Sequence, residues 1–278
     1  MQIPACFPPF RNVNHCRMQR QALHLNTGYY GLVLIWSSTW MFIKISVGET
    51  PFLAAAIRFF IAAGLLVLFQ RWRGRGLRPP RGTAGVILLI GLLNYFVGYG
   101  LTYWAMRYLY SNVVSILWAT LPVYVALCAH LMLPTERFSW SKALSLGLAL
   151  LGSALIFDVQ TLRLGPQAGW GLAYVVVAVA GSAFSNVYYK RVGNRIDLDT
   201  VQINIHGMLL GALLLLAVAL AGEPLERFTP DFKTLGATLY LAVFGSAVAF
   251  TFYFGLMKHF SVTRMSYVTF LIPIFASL

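Results

Sequence analysis

The chain is poor in charged residues, and acidic residues are the scarcest of them. Only 10% of its 278 residues are Asp, Glu, Lys or Arg, and Asp and Glu together number 8. A soluble globular domain carries about 25% charged residues. Apolar residues make up 59% of the chain, and its mean hydropathy is +0.71. This composition excludes an ordinary soluble domain and indicates a protein of the lipid bilayer.

Cysteine is also scarce, and its placement argues against a metal centre. The chain has 3 cysteines, Cys6, Cys16 and Cys128, and none belongs to a CxxC or Cys/His pattern. Its 5 histidines lie apart from one another. The chain also lacks a nucleophile elbow and a phosphate-binding loop. We therefore predict no metal, no cofactor and no enzymatic activity.

Long apolar segments fill most of the remaining sequence. About 20 apolar residues are needed to cross the roughly 30 Å hydrocarbon layer. The predicted spans cover residues 29–47, 52–70, 84–105, 112–133, 140–157, 169–189, 203–222 and 234–257, with a last one beginning near 265. Because the last span stops at Leu278, we expect the natural protein to be longer. Residues 1–27 have no continuous apolar core, so we predict a polar cytoplasmic tail rather than a signal peptide.

Basic residues are distributed unevenly between alternate loops. The tail and every second loop hold 15 Lys and Arg residues, whereas the other loops hold 4. The net charge of +13 could suggest a nucleic-acid partner, but these residues lie between apolar spans and follow the positive-inside rule. We therefore predict a cytoplasmic N-terminus in an inner or plasma membrane. The expected partners are the bilayer and a small solute, and no nucleic acid.

The chain shows signs of an internal duplication. Residues 103–127 and 254–278 share a pattern in which Ser115 corresponds to Ser266 and Pro122 to Pro273, at an offset of 151 residues. The copies occupy the same place in the series of spans, which defines repeats over 28–157 and 169–278. Five spans in each repeat would force the second repeat to enter the membrane upside down. Inverted repeats are typical of secondary transporters, whose solute site lies near the midplane between the repeats.

Several short motifs resemble the drug/metabolite transporter superfamily, EamA type. They are the run Trp36 to Lys44 (WSSTWMFIK), the run Ala56 to Phe60, Leu121-Pro122 and the later Thr135-Glu136-Arg137. Ser37 stands where the family usually has glycine. The resemblance implies an all-α fold of ten helices in two inverted five-helix repeats, here ending within helix 9. It also implies alternating-access export of amino acids, related metabolites or drug-like amphipathic solutes.

Polar and aromatic residues on the matched spans predict a weakly polar, aromatic cavity. The candidate lining residues are Trp40, Asn94, Tyr99, Tyr103, Trp118, Ser185, Asn186, Tyr253 and Ser266. The alternative is that small and hydroxyl residues serve helix packing, as is usual in lipid.

Two cations inside the spans are candidate counter-charges for a solute. Arg58 lies about 9 Å inside the second span at helical rise, where a charged side chain usually faces the bundle interior. Its alternative role is structural, pairing with backbone carbonyls or with Glu49. Lys44 lies near the end of the first span, where its side chain can reach the interface instead.

Proline, glycine and histidine within the spans complete the candidates. Pro122 and Pro273 are candidate hinges for alternating access, and fixed kinks are the alternative. Gly207 and Gly211 form a GxxxG motif that predicts close helix packing or a homodimer contact. No carboxylate lies in mid-membrane to relay protons, and His206, as a lone intramembrane histidine, is more often a packing residue. We therefore expect facilitated export or a form of coupling that the sequence does not show.

Two other functions remain open at this point. The first is an exchanger of anionic metabolites that uses Arg58 and Lys44 as counter-charges. The second is a membrane scaffold or enzyme without transport, which would need a constellation of residues that the sequence does not show.

Overall fold

The protein is all-helical in the part of the chain that the computed structural model describes, residues 13–79, 81–136, 139–155, 166–228 and 230–276. The helices, in chain order, are α1 (Val13–Val47), α2 (Pro51–Trp72), α3 (Ala84–Ala105), α4 (Ser111–Trp118 and Leu121–Met132), α5 (Trp140–Leu155), α6 (Ala168–Gly193), α7 (Thr200–Gly222), α8 (Phe232–Leu256) and α9 (Val262–Ser266 and Val268–Ala276). This arrangement confirms the predicted all-α class.

The helices have the length and composition of membrane spans. Within the described ranges, 7 helices are long and apolar enough to cross a bilayer: α2, α3, α4, α6, α7, α8 and the Leu23–Val47 part of α1. The apolar part of α9 is shorter, and α5 has 16 residues. The chain is therefore a multi-pass membrane protein.

Part of the predicted N-terminal tail is helical. Helix α1 begins at Val13, so residues 13–27 of that tail are helical and continuous with the first span. This stretch is polar but contains neither proline nor an early glycine to stop a helix. Residues 1–12 lie outside the described chain.

Helices from the two halves of the sequence pack on one another. Helix α2 runs along α7, α3 packs on α6 and α7, and α4 packs on α6. Helix α1 packs on α8 and α9, and α2 also contacts α8. A single large core of buried apolar side chains joins these helices. Each half therefore buries its apolar surface against the other half.

Polar contacts join the loops in two groups, one at each end of the bundle. At one end Lys190 Nζ donates to the Met257 carbonyl oxygen over 2.6 Å, and Lys258 Nζ lies 2.7 Å from Asp197 Oδ1. At the other end Arg227 Nη1 lies 2.8 Å from Glu49 Oε2. Such exposed ion pairs add little stability. Their grouping nevertheless places alternate loops on common faces, as the distribution of basic residues predicts.

Two carboxylates at opposite ends of the bundle cap helices of the other half. Glu136 accepts hydrogen bonds from the backbone N–H of Val262 over 2.9 Å and of Thr263 over 3.2 Å, at the start of α9. Glu223 accepts from the N–H of Phe52 over 2.7 Å and of Leu53 over 2.9 Å, at the start of α2. A carboxylate is favoured there because the first N–H groups of a helix have no partner within it and the helix dipole is positive at that end.

Two spans contain π-helical segments at corresponding positions. In α3 the segment covers Ile90–Tyr99, and in α8 it covers Leu241–Val248. Their first residues are 151 positions apart, the offset of the predicted duplication. Each π turn widens the helix, and such turns often mark functional sites. Within the second segment, the carbonyl oxygen of Gly245 accepts hydrogen bonds from side chains of α1 and α2.

The GxxxG motif of α7 packs against another helix of the same chain. A Cβ on Gly207 would lie 3.1 Å from Ile90 Cγ2, and a Cβ on Gly211 would lie 2.5 Å from Tyr95 Cβ and 3.2 Å from the Gly91 carbonyl oxygen. The motif therefore packs α7 against α3, as the first of the two interpretations predicts. The homodimer interpretation of this motif is wrong, because the face that it would use is buried.

Adding a methyl group at Gly211 is expected to destabilise the protein by about 1–3 kcal/mol, the usual cost of overpacking a well-packed core. The measurement is the thermal unfolding of the detergent-solubilised protein. Gly64→Ala is the control, because a Cβ there has no neighbour within 4 Å and alanine favours a helix over glycine. Equal melting temperatures for Gly211→Ala and Gly64→Ala would contradict the close α3–α7 packing.

Candidate functional site

A cavity opens between the two halves of the chain and draws its wall from six helices. Helices α1, α3 and α4 contribute from the first half, and α6, α8 and α9 from the second. The lining residues are Trp36, Thr39, Trp40, Ile43, Asn94, Tyr99, Thr102, Ser115, Trp118, Leu121, Asn186, Phe250, Tyr253, Thr269 and Ile272. Its volume of about 60 Å³ holds only a few water molecules.

Aromatic rings dominate the wall of this cavity and contact one another. The Trp36 ring lies 5.5 Å from that of Phe250 and 5.2 Å from that of Tyr253, measured between centroids. The Tyr99 ring lies 5.7 Å from that of Phe250 and 6.2 Å from that of Trp118. Such distances are typical of favourable ring pairs. The cavity is therefore narrow because its own side chains fill it.

Most polar groups in the wall are already hydrogen-bonded. Trp118 Nε1 donates to Thr102 Oγ1 over 3.0 Å, and Thr102 Oγ1 donates to the Gly98 carbonyl oxygen over 2.6 Å. Asn186 Nδ2 donates to the Tyr253 hydroxyl over 3.3 Å. Among the described residues, those that line the wall include neither a carboxylate nor a cation.

Arg58 lies directly behind the wall and is almost completely buried, with 1% of its surface exposed. Its Nε donates to Ser246 Oγ over 2.7 Å, its Nη1 to the Tyr103 hydroxyl over 3.1 Å, and its Nη2 to the Gly245 carbonyl oxygen over 3.1 Å. The Arg58 Cζ atom also lies 4.9 Å from the ring centroid of Tyr99. One side chain of α2 thereby joins α3 and α8.

The predicted pairing of Arg58 with Glu49 is wrong. Glu49 lies at the turn between α1 and α2 and pairs with Arg227, whereas Arg58 is two turns further into the bilayer. The other predicted kind of partner, a backbone carbonyl, is present, because Arg58 donates to the carbonyl oxygen of Gly245. Among the described residues, the groups that contact the Arg58 guanidinium are all uncharged, so dipoles and ring faces stabilise its charge.

Six of the nine candidate lining residues lie in the cavity wall: Trp40, Asn94, Tyr99, Trp118, Asn186 and Tyr253. The other three are buried behind it. Tyr103 accepts from Arg58, whereas the hydroxyls of Ser185 and Ser266 donate to carbonyls of their own helices, those of Ser182 and Thr263. These two serines match the helix-packing interpretation.

Several lining residues were not among the candidates. The largest of them is Trp36, which lies one helical turn before Trp40 and whose Nε1 donates to the Gly245 carbonyl oxygen over 3.4 Å. The spacing of four residues between the two tryptophans was the available signal. Apolar members such as Ile43 and Leu121 gave no signal, because they do not differ from lipid-facing residues in type.

The remaining candidates lie apart from the cavity. Lys44 is exposed near the end of α1 and does not belong to the wall, so the structure does not bring it together with Arg58. His206 Nδ1 lies 2.8 Å from the Gln202 carbonyl oxygen of its own helix, as expected of a hydrogen-bonding histidine. The described residues contain no group of three or more His, Cys, Asp or Glu side chains that could hold a metal ion.

The two prolines lie beside or within interrupted helices. In α4 the helix is broken at residues 119–120, and Pro122 lies in the first turn of the second part, a position that suits proline. In α9 the break is at Tyr267, and Pro273 lies inside the second part. Both interruptions adjoin the cavity, since Leu121 and Thr269 belong to its wall.

Comparison with known proteins gives a consistent result over nearly the whole chain. The sequence model of the EamA-like transporter family matches residues 29–158 and again residues 169–278. The uncharacterized inner membrane transporter YedA of Escherichia coli (strain K12) is 29% identical over 262 residues, which cover 93% of this chain and 82% of that protein. The uncharacterized transporter YoaV of Bacillus subtilis (strain 168) is 25% identical, over 90% of this chain and 85% of that protein.

Two further comparisons concern a relative whose solute is named and a protein whose structure is solved. An S-adenosylmethionine/S-adenosylhomocysteine transporter of Chlamydia trachomatis serovar L2 is 24% identical over 87% of this chain and 76% of that protein. A crystal structure that is 17% identical in sequence superposes with a TM-score of 0.76, over 91% of this chain and 85% of the other. The structural likeness shows the fold alone.

Proposed function

Because the chain belongs to the EamA-like transporter family, as its motifs suggest, we propose that it exports small amphipathic metabolites across the inner or plasma membrane. The solutes are amino acids, related metabolites or drug-like molecules, and the protein catalyses no reaction. The observation that carries the proposal is the aromatic cavity between the two halves of the chain. A wall of this kind, with few polar groups, suits a small-molecule site.

Two inverted repeats, residues 28–157 and 169–278, are the framework of the proposed transport cycle. The π segments of α3 and α8 begin at the 151-residue offset, which supports the duplication. Contacts also recur when the halves are exchanged: α3 on α6 corresponds to α8 on α1, and α4 on α6 to α9 on α1. The cavity wall draws on the three helices of each half that correspond in this way.

Solute binding requires the cavity to widen. A volume of about 60 Å³ is far below the roughly 300 Å³ or more of typical ligand pockets. We infer that the aromatic side chains separate when a solute enters from one face and close behind it. The breaks in α4 and α9 supply bending points beside the wall, and in this role Pro122 and Pro273 act as hinges. The distribution of basic loops supports a cytoplasmic N-terminus in this proposal.

Removing the Trp118 ring is expected to lower transport at least tenfold. Trp118 contributes both ring contact and the hydrogen bond that positions Thr102. The measurement is counterflow of radiolabelled L-phenylalanine in liposomes that contain the purified full-length protein. Trp72→Ala is the control, because Trp72 is 83% exposed at the end of α2. Equal counterflow for the two variants, at equal amounts of folded protein, would remove the cavity from the transport path.

Exchange of anionic metabolites is the second candidate function. It is favoured by Arg58, whose charge has uncharged partners and lies 4.9 Å from the ring centroid of Tyr99, a wall residue. Lys44 does not support this function, because it is exposed and lies outside the cavity wall. The same liposomes loaded with phenyl phosphate separate the two candidates. Faster counterflow of phenyl phosphate than of L-phenylalanine would favour the exchanger.

A further inference from the structure

Two buried amides in the cavity wall have hydrogen-bonding atoms without a partner. Asn94 is 3% exposed and Asn186 is 4% exposed, and both line the cavity. Within the described chain, no group bonds Asn94 Nδ2 or Asn186 Oδ1, although each atom is buried. The great majority of buried polar side-chain atoms in proteins are hydrogen-bonded. Two exceptions on one cavity therefore indicate groups reserved for a ligand.

The Tyr253 hydroxyl occupies one side of the Asn186 amide. The Tyr253 hydroxyl can bond either its nitrogen or its oxygen, because a hydroxyl both donates and accepts. In the orientation present, Nδ2 of Asn186 donates to this hydroxyl and Oδ1 has no partner among the described residues. A leucine would fill the same space without an unmet polar group, so packing alone does not explain an asparagine here.

The two amides come from different halves of the chain. Asn94 lies in the π segment of α3, and Asn186 lies on α6. A solute that bonds to both would hold α3 and α6 together at the cavity. The surrounding rings, among them Trp36, Tyr99 and Phe250, offer flat apolar faces on which a planar solute can stack.

These features together define the chemistry of a ligand. It needs a flat aromatic body, an acceptor for one amide and a donor for the other, and it needs no net charge, since the wall itself carries none. In protein–nucleic acid complexes a single asparagine amide bonds both the donor and the acceptor on an adenine edge, and aromatic side chains stack on bases. Here each of the two amides would supply one of these two bonds. We propose that Asn94 and Asn186 bind the edge of a nucleobase-like heteroaromatic solute, an inference that rests on the proposed transport function.

A matched pair of probes tests the donor–acceptor edge. The probes are 9-methyladenine and 6-dimethylamino-9-methylpurine, in which two methyl groups replace the two N–H donors of the amino group. We expect the purified full-length protein to bind 9-methyladenine at least tenfold more tightly, because the methylated probe leaves a buried amide atom unpaired. Binding is measured by competition with radiolabelled 9-methyladenine in a scintillation proximity assay.

Apolar variants assign the effect to the two amides. In Asn94→Leu and Asn186→Leu we expect 9-methyladenine to bind at least tenfold more weakly, and in at least one of them the preference over the methylated probe to fall to about onefold. Asn194→Leu, at an exposed position after α6, is expected to match the natural protein. Thermal unfolding of each variant shows whether it is folded.

Three outcomes would overturn the inference while leaving transport intact. The first is counterflow of L-phenylalanine without binding of 9-methyladenine. The second is equal binding of the two purines by the natural protein. The third is unchanged binding in both leucine variants together with higher thermal stability, which would mean that the amides hold water only. Absence of counterflow for every solute would instead contradict the proposed function itself.

Discussion

Replacing Arg58 by alanine is expected to destabilise the protein by about 3 kcal/mol or more and to remove most folded protein from the membrane. Truncating a large buried side chain costs about 2–5 kcal/mol, and its three acceptors on α3 and α8 lose a charged donor. Relief from burying the charge offsets about 2.5–3.5 kcal/mol of this. The measurements are the yield of monodisperse protein and its melting temperature in detergent.

Two further variants separate structure from charge. Arg58→Lys keeps the charge but lacks the planar group that reaches three acceptors at once, so we expect intermediate stability. Arg73→Ala removes an exposed arginine after the same helix and is expected to change nothing measurable. A stable Arg58→Ala protein that no longer transports would show instead that Arg58 acts on the solute.

Neutralising Glu136 is expected to cost about 2–3 kcal/mol of stability. The residue is 8% exposed, and its carboxylate accepts from two backbone N–H groups and from Thr263 Oγ1, the last over 2.6 Å. Hydrogen bonds to a charged group contribute about 1.5–3 kcal/mol each. In Glu136→Gln the side-chain NH₂ faces one backbone donor, so at least one of these bonds is lost. Thermal unfolding in detergent measures the effect.

Two other carboxylates give the scale for this prediction. Glu223→Gln removes a cap with two backbone donors in a more exposed position, so its melting temperature should fall by less. Asp197→Asn removes an exposed ion pair with Lys258 and should be indistinguishable from the natural protein. If the melting temperature fell most in Asp197→Asn, this would contradict a stabilising role for the Glu136 cap at the start of α9.

The spans could be predicted from the sequence because hydropathy alone determines them. Helix α3 begins at Ala84 and ends at Ala105, as predicted, and α2 and α4 match within two residues at each end. The π segments could not be predicted. The segment of α3 lies where this helix packs closely on α7, at Gly91 and Gly211, which are 120 positions apart, and the segment of α8 packs on α2.

The cavity was only partly predictable for the same reason. Regular helical spacing places Tyr95, Tyr99 and Tyr103 on one face of α3. The wider π turns rotate this face, so that Asn94 and Tyr99, five residues apart, both line the cavity while Tyr103 faces Arg58. Arg58 could be identified as an interior residue from its depth, but its partners on α8 lie more than 180 residues away in sequence.

The fixed position of Arg58 has an electrical consequence. A full elementary charge that crosses the bilayer changes energy by about 2.3 kcal/mol per 100 mV of membrane potential. Hydrogen bonds to α3 and α8 hold the Arg58 guanidinium in place. As long as these bonds persist, the membrane potential does not move this charge across the bilayer. In the proposed transport cycle, the charge moved in each turnover would then be that of the solute and of any ion that crosses with it.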